Sequence, residues 1–250
     1  DIKGKAAGMP LYRLLGGASD RIPCYAGGVD LEFTMDELKA QADQFIAQGF
    51  KAIKMKVGRE KWTEDVDRVS AMRDYLGKDF ALMIDANTGY DINVAVQAAR
   101  EFSSLNLVWF EEPTKHTDYD GHRRIQEAGG IPVATGENMK SLVEFREMIT
   151  RGGMTFPQPD ITNMGGITPW IKVAHLAETF NLPVSTHGVH DIQVHLLCAV
   201  PNNSYLEMHL FAIDEYIEHP FRLVDGCAVA PDRPGHGVQL IFDKLEAHRV

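Results

Sequence analysis

Ala81-Leu-Met-Ile-Asp85 is a short apolar run that ends on a carboxylate, and the same pattern returns further along the chain. It recurs in Leu107-Val-Trp-Phe-Glu111 and in Val133-Ala-Thr-Gly-Glu137. Runs of this length, bounded by polar residues and glycine, are typical of buried strands. We therefore interpret these segments as strands that end on acidic side chains.

Eight such runs lie between residues 22 and 207, and their last residues are 20 to 30 positions apart. Amphipathic stretches with helical spacing separate most of them, for example Met35–Gln48, for which Thr34 is the expected N-cap. Strands that alternate with helices in this way predict an α/β fold with a parallel barrel. The last connection is short, so we expect one outer helix to be reduced or missing. The runs are Ile22–Ala26, Ala52–Lys56, Ala81–Asp85, Leu107–Glu111, Val133–Glu137, Thr155–Asp160, Pro183–His187 and Ser204–Glu207.

The polar ends of these runs are expected to meet, because the carboxyl ends of barrel strands converge on the face where the chemistry takes place. Neighbouring carboxylates there repel one another unless a cation lies between them. Mg²⁺ prefers a few carboxylates together with water and substrate oxygens. Asp85, Glu111 and Glu137 are therefore candidate magnesium ligands, and Glu112 is expected to point away from the metal. Seven successive run ends are ionisable, namely Lys56, Asp85, Glu111, Glu137, Asp160, His187 and Glu207.

Two pairs of residues are candidate bases. Lys54 and Lys56 share one face of a strand, and two ammonium groups this close lower each other's pKa, which favours a neutral lysine base. A solvated pair of strand-end charges is the alternative. Asp160 and His187 end consecutive runs, where a carboxylate orients an imidazole and raises its basicity. Glu207 is expected to stay protonated and to donate a hydrogen bond to developing negative charge.

The composition excludes several classes of protein. A net charge of −10 argues against a general nucleic-acid or anionic-membrane surface. The three cysteines are too far apart for a disulfide framework or a zinc knuckle, which favours a reducing cytoplasm. Every apolar run is shorter than a membrane span, and no leader pattern opens the sequence.

The first residues predict a helix that is already under way and that a glycine pair ends at Gly17. We interpret residues 1–20 as a helical hinge segment and residues 21–250 as a catalytic barrel with a C-terminal extension. The sequence does not begin with Met, so we expect it to be the C-terminal part of a longer protein; a trimmed N-terminus is the alternative.

Taken together, these residues resemble the enolase superfamily, and within it the mandelate racemase subgroup. The resemblance covers essentially the whole chain and rests on the order and spacing of the residues above. It also rests on the local sequences Ile84-Asp-Ala-Asn87, Glu111-Glu-Pro113, Gly136-Glu-Asn138 and Pro159-Asp160 followed by Gly165-Gly166. Cys24-Tyr25, Gly27-Gly28 and Glu207 with His209 nearby are similar to the talarate/galactarate-type acid-sugar dehydratases.

This resemblance implies a TIM-like (β/α)7β barrel whose N-terminal α+β capping domain is missing from this chain. It implies Mg²⁺ as the cofactor, held by the three carboxylates and bound to the substrate carboxylate. Lys56 or His187 would take the α-proton, as lysine or histidine bases do in enolase-superfamily sites, and Lys54 and Glu207 would help to stabilise the enediolate. Asn87 and Asn138 are candidate substrate-binding residues, together with His116 and Asp118.

The predicted function is therefore a magnesium-dependent hydro-lyase, a carbon–oxygen lyase, that converts a sugar acid to a 2-keto-3-deoxy acid. We expect a small carboxylate substrate, a homo-oligomer, and neither nucleic-acid nor membrane partners. A racemase or epimerase that uses the same bases is the first alternative. A Schiff-base lyase with Lys54 or Lys56 as nucleophile gives the carboxylate trio no purpose. A non-catalytic barrel is the alternative of another class.

Overall fold

The computed structural model describes residues 1–209, 213–220, 222–246 and 248–249. The strands are β1 (Arg21–Gly27), β2 (Ala52–Lys56), β3 (Ala81–Asp85), β4 (Phe110–Glu111), β5 (Val133–Thr135), β6 (Phe156–Pro157), β7 (Leu206–His209), β8 (Arg222–Val224) and β9 (Cys227–Val229). The helices are α1 (Ile2–Ala6), α2 (Leu11–Leu14), α3 (Met35–Ala47), α4 (Trp62–Leu76), α5 (Ile92–Phe102), α6 (Tyr119–Gly129), α7 (Leu142–Thr150), α8 (Ile167–Thr179), α9 (His190–Ala199) and α10 (Phe242–Glu246).

The strands β1 to β6 are parallel neighbours in chain order, and β7 pairs in parallel with the other edge of β1. The predicted strand Pro183–His187 forms no continuous ladder. Instead it makes single parallel bridges from His187 to Asp160 and from Val184 to Asn203. The predicted α/β architecture with parallel strands is confirmed, while several strands are shorter than the apolar runs.

Strand alternation separates two layers of core. Met55, Ile84 and Phe110 pack outward against the helices in the main hydrophobic cluster. Met83 and Trp109 lie in a second, inner cluster. Because side chains alternate along a strand, Asp85 and Glu111 share the inner face with Met83 and Trp109.

Helix α3 begins where its capping sequence predicts. Thr34 Oγ1 accepts a hydrogen bond from the Glu37 N–H, and the Glu37 carboxylate accepts one from the Thr34 N–H at 2.8 Å. This capping box satisfies donors that the first turn leaves free. The expectation of a reduced or missing last helix is wrong in its stronger form, because α9 has ten residues and eight of them are buried. The short connection suffices because ten helical residues rise about 15 Å, roughly the length of a strand of four to five residues.

The predicted single helix at the start of the chain is wrong. Gly8 adopts a positive φ of 62°, and Pro10 follows it, so α1 and α2 are separate short helices. Proline lacks an N–H and disfavours helical backbone at the residue before it, which explains the break. Gly17, with φ 69°, follows α2 as the predicted glycine stop.

The C-terminal part of the chain is attached to the first strand. β9 pairs antiparallel with β1, so that Arg21 lies opposite Val229, and β8 pairs antiparallel with β9. In the described ranges, no helix combines the length and the apolar character that crossing a bilayer requires. The cysteines Cys24, Cys198 and Cys227 are free thiols.

Candidate active site

Strand register brings the predicted site residues together. Lys56 lies opposite Asp85, and Asp85 lies opposite Glu111, across the β2–β3 and β3–β4 pairs. Glu137 follows β5 by two residues. One ligand oxygen from each of Asp85, Glu111 and Glu137 lies within 4.8 Å of the others. The predicted carboxylate trio is therefore assembled.

Neutral donors hold the outer oxygen of each buried carboxylate. Asp85 Oδ1 accepts the Asn87 N–H at 2.8 Å. Glu111 Oε2 accepts the indole N–H of Trp109 at 2.9 Å and the amide of Gln158 at 3.0 Å. These bonds fix the carboxylates so that their other oxygens face the centre of the cluster. Gln158 was not predicted, although its position two residues before Asp160 places it on the same strand-end face.

Lys54 lies at the centre of the acidic cluster. Its Nζ is 2.5 Å from Glu111 Oε1, 2.7 Å from Glu207 Oε1 and 3.4 Å from Asp85 Oδ2. Burial favours the neutral amine, but Glu111 and Glu207 outweigh it and raise the pKa of Lys54 well above its ordinary range. The prediction that Lys54 and Lys56 lower each other's pKa is wrong for Lys54. Three carboxylates lie within 3.4 Å of its Nζ, and alternation along the strand alone did not predict such close contacts.

The acids carry more negative charge than Lys54 can compensate. Burial raises the pKa of Glu111 to about 7, with Lys54 lowering it and Asp85 adding repulsion. Burial also raises the pKa of Asp85, but Lys54 and Lys56 bring it below its usual value. A buried, all-oxygen donor set with surplus negative charge fits a hard divalent cation. Asp85, Glu111 and Glu137 therefore meet the chemical requirements of a magnesium site.

The two candidate bases contact opposite ends of the trio. Lys56 Nζ is 2.5 Å from Asp85 Oδ2, and the Lys56 side chain is 18% exposed. His187 Nε2 is 3.4 Å from Glu137 Oε2. Both groups thus reach the space beside the carboxylates, and both remain open to a small molecule.

Asp160 and His187 form the predicted pair. His187 Nδ1 lies 2.8 Å from Asp160 Oδ2, and Asp160 Oδ1 accepts the N–H groups of Thr162 at 2.6 Å and Asn163 at 3.1 Å. Burial lowers the pKa of His187, yet Asp160, Glu207 and Glu137 raise it to about 9. With Nδ1 bound to Asp160, Nε2 of His187 faces Glu137 of the carboxylate trio.

The protonation of Glu207, like that of Lys54, differs from expectation. Burial raises its pKa, but the ammonium of Lys54 and the hydrogen bond to His209 lower it well below the usual value. His209 Nε2 lies 3.1 Å from Glu207 Oε2, and the Gly188 N–H donates to the same oxygen at 3.1 Å. The expectation of a protonated Glu207 is wrong because a buried cation contacts it directly.

The polar residues predicted to bind substrate have several partners in the protein. Asn138 Nδ2 donates to Glu112 at 2.9 and 3.1 Å and to Glu137 at 3.3 Å. Glu112 is buried, and burial followed by repulsion from Glu137 raises its pKa to about 8. Asp118 caps α6 by accepting the Gly121 N–H at 2.9 Å. Asn87 contributes its backbone N–H to Asp85, so direct substrate contact by its side chain stays a prediction.

A cavity of about 330 Å³ opens beside these groups. It reaches from Lys54, Lys56 and Glu207 past His209 to helix α3. Glycine at position 28 lets Gln41 line this cavity, since a Cβ there would collide with the Gln41 amide. The size suits a small molecule, and the polar side chains of Gln41, Lys56 and His209 within a partly apolar lining suit a hydroxylated one.

Known proteins are similar to this chain in both sequence and fold. Residues 37–244 match the family model described as Enolase C-terminal domain-like. The chain is 49% identical over 245 residues to a 3,6-anhydro-alpha-L-galactonate cycloisomerase of Streptomyces coelicolor, covering 98% of this chain and 68% of that protein. It is 34% identical to an L-talarate/galactarate dehydratase of Salmonella typhimurium, covering 96% of this chain and 60% of that protein.

Solved structures agree with these relatives. A racemase from Streptomyces coelicolor with bound magnesium superposes with a TM-score of 0.96 at 47% identity, over 100% of this chain and 69% of that one. An L-talarate dehydratase from a Polaromonas species, complexed with Mg and L-glucarate, gives 0.91 at 36% identity, over 96% and 67%. The predicted magnesium cofactor is thus confirmed at the level of these relatives.

Proposed function

We propose that this chain, which belongs to the Enolase C-terminal domain-like family, removes the proton α to the carboxylate of an acid sugar or a close derivative. The observation that supports this most is the placement of Lys56 against Asp85 at 2.5 Å and of His187 against Glu137 at 3.4 Å. A site that only binds a ligand would not need a carboxylate trio placed between two proton-transfer groups. This chain spans 60% to 69% of the length of the relatives described, so the activity is proposed for the whole protein.

Asp85, Glu111 and Glu137 are the residues that would hold Mg²⁺. When bound, the ion supplies the concentrated positive charge that makes an α-proton of a carboxylate acidic enough to remove. The side chains contribute by keeping their free oxygens converged, through the bonds from Asn87 and Trp109 to the outer oxygens.

Proton transfer is assigned to Lys56 and His187. A neutral Lys56 takes a proton on Nζ, while His187 uses Nε2 because Asp160 occupies Nδ1 at 2.8 Å. The ammonium of Lys54, held by Glu111 and Glu207, adds fixed positive charge where the substrate carboxylate becomes more negative. The protonated His187 then serves as the general acid for the departing oxygen.

The β-oxygen of the substrate is the leaving group in this proposal, and its identity distinguishes two candidate reactions. If it is a hydroxyl, the reaction is the dehydration predicted from the sequence. If it belongs to an ether ring, as in a 3,6-anhydro sugar acid, the same proton transfers open the ring and release no water. The 49% identity to a 3,6-anhydro-alpha-L-galactonate cycloisomerase favours ring opening, and the 34% identity to a dehydratase supports dehydration.

A 2-keto acid assay separates these reactions. The full-length protein is incubated with Mg²⁺ and either 3,6-anhydro-L-galactonate or galactarate, and ketone is detected as its semicarbazone. We expect ketone from the anhydro acid, together with loss of activity in Lys56→Met and His187→Asn but not in the exposed control His175→Asn. Ketone from galactarate alone would assign the dehydration instead.

Racemisation is the remaining catalytic alternative, supported by the description of one similar structure as a racemase. A racemase exchanges the α-hydrogen for deuterium in D2O without forming ketone. Absence of both ketone and exchange for all acid sugars would favour the non-catalytic alternative.

We also infer that the parallel strands close into the predicted (β/α)7β barrel. The bridges of residues 183–187 to Asp160 and Asn203, and the pairing of β7 with β1, support closure. We also propose, as the sequence predicts, that the protein is cytoplasmic and homo-oligomeric and that a separate capping domain accompanies the barrel.

A further inference from the structure

The backbone of Lys56 is held by charged side chains instead of by a neighbouring strand. Its N–H donates to Asp30 Oδ1 at 2.7 Å, and its carbonyl accepts from Arg68 Nη1 at 3.0 Å. Hydrogen bonds to ionised groups are shorter and stronger than those between neutral groups. Both polar groups of this one residue are therefore fixed by strong partners.

The reason lies in the length of β1. The last β1–β2 register pair joins Gly27 to Lys54, two residues before Lys56. On the other side of β2, the Val57 N–H still donates to the Asp85 carbonyl at 2.9 Å. The N–H and carbonyl of Lys56 face the side where β1 has already turned away, and Asp30 and Arg68 take the place of the missing strand.

A buried network supports these two residues. Arg68 Nη2 donates to the Asp30 carbonyl at 3.0 Å, and Arg68 Nη1 is 2.9 Å from Asp65 Oδ1. Asp65 Oδ2 accepts from the Tyr90 hydroxyl at 2.5 Å and from the Gly58 N–H at 2.9 Å. Asp30 and Asp65 are fully buried, and Arg68 is 6% exposed. We call Asp30, Asp65, Arg68 and Tyr90 the Lys56 clamp.

Parts of the clamp lower the stability of the fold. Asp30 Oδ2 and Arg68 Nε are buried without a hydrogen-bond partner among the described residues. An unsatisfied buried polar atom is destabilising, and buried charges often contribute little net stability. A network of this kind is better explained by the position that it gives to Lys56 than by the stability of the fold.

We propose that Asp30 and Arg68 are positioning residues that set the place from which the Lys56 side-chain nitrogen reaches the substrate. Because the clamp fixes the Lys56 backbone, it limits where Nζ can lie relative to Asp85, 2.5 Å away. An ångström of misplacement can cost about 100-fold in rate. This inference rests on the proposed function, since it assigns the clamp a role in proton transfer by Lys56.

The test uses the full-length protein with Mg²⁺ and compares Asp30→Ala, Asp30→Asn and Arg68→Lys. We expect Asp30→Ala to lower kcat about 100-fold with KM and Mg²⁺ affinity within roughly three-fold of wild type. Asp30→Asn keeps an oxygen acceptor for the Lys56 N–H and should recover part of kcat. Val69→Ala is the matched control, because Val69 lies in the core on α4, next to Arg68. This variant should lower Tm and leave kcat unchanged.

Crystal structures of the wild type and the Asp30 variants give a readout that does not depend on turnover. A displaced Lys56 backbone, with Nζ further from Asp85, supports the clamp even if no acid sugar is a substrate, in which case only the proposed function fails. If the wild type is active and both Asp30→Ala and Arg68→Lys retain full kcat with Lys56 unmoved, the clamp inference is wrong. A loss of kcat in Asp30→Ala no larger than that of Val69→Ala would also overturn it.

Discussion

His187 Nδ1 lies 2.8 Å from Asp160 Oδ2, and a parallel bridge joins the backbones of the same two residues. The carboxylate is held in turn by the Thr162 and Asn163 N–H groups. Backbone and side chain thus fix the imidazole together. The consequence is a histidine whose Nε2 is aimed and whose Nδ1 is occupied, which is the geometry that a general acid–base requires.

Replacing Asp160 by Asn keeps the shape of the pair but removes its charge. Although burial lowers the pKa of His187, the bond to Asp160 contributes most to raising it to about 9, so the pKa should fall in Asp160→Asn. We expect kcat to fall by about 10²- to 10⁴-fold, the usual contribution of a general acid–base. The pH–rate profile and an NMR titration of the metal-free protein measure both effects. Asp74→Asn, at an exposed position of α4, is the control; a kcat of Asp160→Asn equal to that of the wild type would exclude this role for Asp160.

Lys54→Met should destabilise the metal-free protein. Lys54 is 2% exposed and contacts three carboxylates, so its removal leaves uncompensated buried charge. Loss of one partner of a buried ion pair costs about 3–5 kcal/mol. Added Mg²⁺ should raise the Tm of the variant more than that of the wild type, because a bound cation replaces the missing charge.

The control for Lys54→Met is Lys61→Met, which removes an exposed ion pair and should leave Tm nearly unchanged. Differential scanning calorimetry with and without Mg²⁺ provides the measurement. Equal Tm values for Lys54→Met and the wild type in chelator would show that the ammonium does not hold the acids together.

His195 should make the protein less stable in mild acid. Its Nδ1 accepts the Tyr12 N–H at 3.3 Å, and its Nε2 lies 3.0 Å from the His236 carbonyl. Burial lowers the pKa of His195 to about 4, from 6.5. The unfolded chain therefore binds a proton at a higher pH than the folded one does. The contribution to the free energy of unfolding is complete above about pH 6.5 and is lost as the pH falls through 4, by roughly 3 kcal/mol at most.

Urea unfolding at several pH values between 7 and 4 measures this effect. His195→Gln should be less stable than the wild type at pH 7 but show a shallower decrease towards pH 4. His175→Gln, on the exposed face of α8, should follow the wild-type slope. Identical slopes for His195→Gln and the wild type would mean that another group causes the acid sensitivity.

The sequence predicts the strand ends of this site well because its signal is local. Asp85 and Glu111 each close an apolar run, and parallel register then places them side by side. The capping residue Thr34 is equally local, since its partner Glu37 is three positions away. These features depend on alternation and on short-range bonds, which a single sequence contains.

Features that depend on distances between separate elements were missed. Glu207 was expected to be protonated, but its state is set by Lys54, which approaches from another strand to 2.7 Å. No role was predicted from the sequence for Arg68 or Asp65, and both lie on the buried side of α4. Their spacing with Val69 and Met72 on the apolar face was the available signal, because charges within an apolar stripe indicate a buried polar network.

The most direct test of the account is the metal dependence of turnover in Glu137→Gln. The full-length protein is chelated and then titrated with Mg²⁺, while binding is followed by calorimetry and 2-keto acid formation is assayed. We expect the wild type to be inactive in chelator and to recover with Mg²⁺. Glu137→Gln should bind Mg²⁺ at least about 10- to 100-fold more weakly and lose turnover, whereas Glu144→Gln should match the wild type. Unchanged metal binding and turnover in Glu137→Gln would contradict the assignment of Asp85, Glu111 and Glu137 as one magnesium site.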